Sequence, residues 1–120
     1  MSYQRPTARK RSTGFRVLDD AMRLCALIRP LVAEIARKDR RLADEIARAS
    51  RSVRGNIAEG RNRQGGHQRQ FFGIAYGSAN ETKDWLLEAV DEGLLTDEPI
   101  DAAWDLADKI CATLWKLEAR

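Results

Sequence analysis

The sequence holds a single histidine, His67, and only two cysteines, Cys25 and Cys111. Histidine is the side chain most often used for proton transfer in catalysis, so acid–base chemistry is poorly supplied. The two thiols stand 86 positions apart with no second ligand type close to either. They read as small core residues of a reducing compartment, and no metal or other cofactor is expected. No uncharged apolar run approaches the ~20 residues that a membrane span requires. The opening MSYQRPTARKRSTG has no apolar segment to act as a signal peptide, which predicts a cytoplasmic protein. Nor does any segment show the alternation of a strand.

What is present is a chain of 120 residues, 43% hydrophobic and 32% charged. That composition predicts one folded domain with one core and excludes a disordered or collagen-like chain. The net charge of +3 conceals a gradient of +9 up to Arg63 and −6 after it. Such asymmetry favours a polyanionic partner or attraction between subunits. Residues 1–16, with Arg5, Arg9, Lys10, Arg11 and Arg16 and no acid, read as a flexible basic arm. Residues 17–120 then form the folded part.

Apolar residues in that part recur at alternating spacings of three and four, the stripe of a helix that buries one face. Leu18, Ala21, Cys25, Ile28, Val32 and Ile35 mark a first helix, with Pro30 inside it. Asp39 is placed to cap a second, whose stripe is Leu42, Ile46, Ala49, Val53 and Ile57. Gly60 is expected to end or weaken this helix, with Arg61 to Gly66 as a loop. A third helix is predicted from about His67 to Glu92, stopped by Gly93, and a fourth, capped by Thr96 or Asp97, runs to the end. Four helices with short connections predict an all-α, antiparallel up-down-up-down bundle.

At 100° per residue, Arg41, Arg48 and Arg51 fall on the side of the second helix opposite its apolar stripe. Arg40 flanks this row, and Arg54, Arg61 and Arg63 extend it toward the following loop. The arginine fork suits phosphate oxygens, and together with Arg9, Lys10 and Arg11 the row is a candidate nucleic-acid-binding surface. Few aromatics stand among these arginines, so contact with backbone and shape is expected rather than base stacking. A solvated, salt-bridged face is the alternative, with Asp44 and Glu59 spaced to pair with Arg48 and Arg63. Trp104, Cys111 and Trp115 widen the apolar face of the fourth helix beyond one bundle seam; the two tryptophans either cover the bundle edge or, the reading favoured here, form an oligomer interface.

Two further motifs carry polar and small residues. Asn56-Ile57-Ala58-Glu59-Gly60 closes the second helix, and Gly77-Ser78 with Glu81 lies in the third. If these helices are antiparallel neighbours, Asn56 and Glu59 meet Ser78 and Glu81 in a polar cluster within the core, most simply as a structural pin on helix register. This combination resembles the bacterial four-helix-bundle family named for proteins encoded in intervening sequences of large-subunit ribosomal RNA genes. That family includes relatives of the accessory variability determinant of diversity-generating retroelements. The resemblance spans Phe15 to Leu117. It implies a homopentameric barrel, no known catalytic activity and, in the retroelement branch, binding of nucleic acid and of a reverse transcriptase.

Two other functions compete. Arg61, Asn62 and His67 look like the Arg-x(4–6)-His pattern of HEPN-type ribonucleases, in which His serves as acid or base and Arg steadies phosphate charge. A scaffold that binds only proteins through Trp104 and Trp115 is the other.

Overall fold

The computed structural model describes residues 12–118, so Arg9, Lys10 and Arg11 lie outside the described residues. Within them the chain forms four helices and no strand: α1 (Arg16–Ala36), α2 (Arg40–Arg61), α3 (Gly65–Asp91) and α4 (Asp97–Glu118). Each packs on its neighbours in sequence, and α1 closes the circuit against α4. The α2–α3 interface is the most extensive. The architecture is the all-α up-down bundle that the stripes predict.

The stripes become the core. Leu24, Ile28 and Ile35 of α1, Leu42, Ile46 and Ile57 of α2, Leu86 of α3 and Ile110 and Leu114 of α4 are all almost wholly buried. Burying each such side chain contributes roughly 1.5–3 kcal/mol. α3 supplies mostly small inward residues, with Ala75, Ala79 and Thr82 between the bulkier Phe72 and Leu86 and Ala89 after them. Of the two cysteines, Cys111 is buried as expected, whereas Cys25 is only half-buried and donates its thiol to the carbonyl of Ser50 at 3.4 Å. Burial pushes both thiols above their ordinary range.

The helix ends follow local chemistry. Asp39 accepts from the backbone N–H of Leu42 at 3.0 Å, satisfying one donor that the first turn leaves free. Gly93 takes φ +75°, which lets its own N–H reach Val90 and that of Leu94 reach Ala89. Two expectations need correction. α2 does not end at Gly60 but runs to Arg61. α3 opens at Gly65 rather than His67, so the glycine pair forms its first turn. Gln68 reaches back from that turn and donates to the carbonyls of Gly60, in the last turn of α2, and Arg63, in the connection that follows, at 3.1 and 3.0 Å.

The approach to α1 is tied down by Asp19. The backbone N–H of Thr13 and its hydroxyl each lie 2.9 Å from one Asp19 oxygen, and the Ser12 hydroxyl lies 3.3 Å from the other. The Thr13 N–H is the main cause that holds the Asp19 carboxyl below its ordinary value of 3.8. A depressed carboxyl contributes its stabilisation above the ordinary value and loses it as pH falls through the folded one. The Thr13 amide resonance is therefore expected to titrate with a midpoint below 3.8. A midpoint at or above that value refutes the tie.

Candidate nucleic-acid interface

α2 turns Leu42, Ile46, Ala49, Val53 and Ile57 inward, so its opposite side is solvent-facing. Arg40, Arg41, Arg48, Arg51 and Arg54 are all exposed there. They do not form one uniform row. Arg48 is clamped between Glu45, at 3.0 Å, and Glu81 of α3. Hydrogen bonds to Glu45 and Glu81 strengthen its hold on its proton. Glu45, not the expected Asp44, is the partner of Arg48 on its own helix. Glu81 also accepts from the indole N–H of Trp85 at 3.2 Å.

Two other members of the row are likewise engaged. Arg61 donates to the carbonyl of Thr13, and its guanidinium lies 6.0 Å from the centre of the Phe15 ring. Phe15 in turn meets Phe72 at 6.1 Å. Arg63 pairs with Glu59 at 3.1 Å, the spacing anticipated from sequence, and lies 5.9 Å from the Phe71 ring centre. Arg40, Arg41, Arg51 and Arg54 enter no ion pair among the described residues. The arrangement thus separates arginines that join elements together from arginines that offer charge to solvent.

α1 adds one that sequence reasoning missed. Arg29 is exposed and lines, with Arg51, a groove between α1 and α2. The signal was available: Arg29 stands four positions after Cys25 and three before Val32, in the row that flanks the apolar stripe.

The proposed polar cluster of Asn56, Glu59, Ser78 and Glu81 is not formed. Ser52 meets Ser78 instead, hydroxyl to hydroxyl at 2.7 Å, and Asn56 folds back to donate to the carbonyl and hydroxyl of Ser52 at 2.8 and 3.1 Å. Thr82 donates to the Ser78 carbonyl at 2.8 Å. The antiparallel register that pairs Ser52 with Ser78 and Arg48 with Glu81 places Glu59 more than a turn away, toward Phe71. The two carboxylates are held by different arginines. Gly77 faces solvent, and a Cβ there meets nothing within 4 Å.

Trp115 on α4 is 61% exposed and leans on Tyr76 of α3 at 5.8 Å between ring centres. Trp104 is half-buried beneath Lys83, whose amine lies 5.2 Å from its ring centre. Lys83 also pairs with Asp108 at 3.0 Å. His67 sits exposed in the first turn of α3. The Arg61 that would accompany it in a ribonuclease site is committed to Thr13 and Phe15. Among the described residues, no group of three or more His, Cys, Asp or Glu is placed to hold a metal ion, and no helix is long and apolar enough to cross a membrane.

A family model described as 23S rRNA-intervening sequence protein matches residues 14–116. The chain is similar to the crystal structure, at 1.70 Å resolution, of a protein of unknown function from the S23 ribosomal protein family of Bacteroides thetaiotaomicron. The two share 21% identity with a TM-score of 0.80, over 87% of this chain and 99% of that one, which shows the common fold. No curated protein matches.

Proposed function

The chain belongs to the 23S rRNA-intervening sequence protein family, and from that membership we propose that it is a non-enzymatic accessory protein that binds a nucleic-acid backbone. The observation that carries the reading is the set of exposed arginines without ion-pair partners, Arg40, Arg41, Arg51 and Arg54, on the face of α2 turned away from the core. Along the helix they extend over about 21 Å at 1.5 Å per residue. Two pairs of planar, permanently charged forks, Arg40 with Arg41 and Arg51 with Arg54, suit a chain of phosphates better than a compact anion.

The assembly belonging to this reading is a homopentameric ring that acts as a ribonucleoprotein scaffold. The resemblance to the retroelement accessory proteins supports it, as does the exposed aromatic surface of Trp115 and Tyr76. Repetition around an axis turns one modest track into a strong positive field. In a retroelement setting a reverse transcriptase is the protein partner.

Binding of a single-stranded RNA should weaken by about 50-fold when salt rises from 50 to 200 mM, the change expected for about four phosphate contacts. Arg51→Glu with Arg54→Glu should weaken it by about 10-fold or more at low salt. A flat salt response overturns the reading. For the ring, a solution mass equal to one 13.6 kDa chain does so.

A further inference from the structure

The groove between α1 and α2 has two kinds of wall. Ile28, Val32 and Ala47 give it an apolar floor, Cys25 lies within it, and Arg29 and Arg51 stand at its edges from opposite helices. Its volume is about 330 Å³, at the lower end of the range for pockets that hold small organic groups. Ile28 is buried, whereas Val32, Ala47 and Cys25 are half-buried and so present surface to an occupant. Neither Arg29 nor Arg51 has an ion-pair partner among the described residues.

We infer that this groove seats one nucleotide of a single strand, its base on the apolar floor and its phosphate between Arg29 and Arg51. The inference rests on the nucleic-acid reading above and specifies where and in what form the strand is held. An apolar floor beneath two guanidinium groups matches a single strand, because only an unpaired base can leave its neighbours and enter a recess. Guanidinium planes can also stack on that base, so a dedicated aromatic platform is not needed. A duplex keeps its bases inside and would meet only the rim. The arginine track of α2 continues from Arg51 to Arg54 on one side and to Arg40 and Arg41 on the other, so flanking phosphates find charge beyond the groove. That continuation favours a polyanionic strand over a docking acidic helix, which would carry its charges on one short face.

Cys25 supplies a reporter inside the groove. Burial raises its thiol against the pull of Arg54, Arg29 and Arg51, so alkylation is best followed above pH 8. Buried Cys111 serves as the internal reference. The experiment treats the full-length protein with iodoacetamide, alone and with a single-stranded oligouridylate or an RNA duplex, and maps the modified peptides by mass. The single strand should slow alkylation of Cys25 several-fold and the duplex should not. Arg29→Glu should weaken binding of the single strand by about 10-fold or more with an unchanged circular dichroism spectrum. If the single strand binds with steep salt dependence but Cys25 reacts at its free rate and Arg29→Glu binds normally, the groove assignment falls and the nucleic-acid reading stands. If no RNA binds, both fall. Protection of Cys25 without RNA that disappears on dilution assigns the groove to a second copy of the chain and overturns the inference.

Discussion

Gly60→Val is expected to lower the midpoint of thermal unfolding by about 10 °C, from a loss of about 2–3 kcal/mol. A Cβ built at Gly60 would lie 2.7 and 2.8 Å from two ring carbons of Phe72 and 3.1 Å from the Cβ of Phe71. Phe72 is 4% exposed and packs on Phe15, so its ring has little room to withdraw. Gly60 is therefore a contact residue: it brings α2 and α3 together at the end where the chain enters α1. The expectation that it ends or weakens the helix assigned a backbone reason where packing supplies one. Two other helical glycines give the comparison. At Gly55 and Gly77 a Cβ meets nothing within 4 Å, so alanine there should raise stability by about 0.5–1 kcal/mol through helix propensity. Differential scanning calorimetry of the three variants checks the signs. A Gly60→Val protein that melts within 2 °C or so of the parent contradicts the packing account. A Gly77→Ala protein that loses both stability and assembled mass would place a neighbouring subunit's backbone on α3.

The bundle itself was legible in the sequence because its causes are local. A stripe repeated over about six turns fixes a helix and its inner face. Asp39 and Gly93 mark ends by chemistry that acts within a few residues. The i,i+4 pair of Glu59 with Arg63 is legible for the same reason. The relations between helices were not. One residue of axial slip moves a side chain by 1.5 Å and turns it by 100°, and no local pattern states the register of α2 against α3. Hence Ser52, not Asn56, meets Ser78, and Glu81 takes Arg48 instead of sitting beside Glu59. The candidate surface divides in the same way. That Arg41, Arg48 and Arg51 face outward follows from period alone, but which of them is engaged depends on a carboxylate supplied by another helix. Arg29 was passed over because the arginine row was sought on one helix, whereas the groove is made by two.

Leu86→Ala should cost about 3–4 kcal/mol. The helix offers mainly small residues to the core, Ala75, Ser78, Ala79, Thr82 and Ala89, with Thr82 hydrogen-bonded back to its own backbone. Leu86 is completely buried and is the only large aliphatic among α3's buried residues. Its nearest buried neighbours on the inner face of α3, Thr82 and Ala89, are too small to fill the space, so the cavity is expected to remain largely open, the condition under which truncation is most costly. Urea unfolding measures the loss directly, and a change under about 1 kcal/mol would show that the bundle closes over the site. The same variant separates folding from binding. Arg51 and Arg54 are exposed and hold no ion pair among the described residues, so reversing both should alter stability by no more than about 0.5 kcal/mol apiece. Leu86→Ala, studied at a temperature where it remains folded, leaves every arginine on its helix and should bind RNA as the parent does. If instead RNA affinity fell with Leu86→Ala and survived the arginine reversals, binding would depend on bundle rigidity rather than surface charge. The salt dependence would then need a source other than α2.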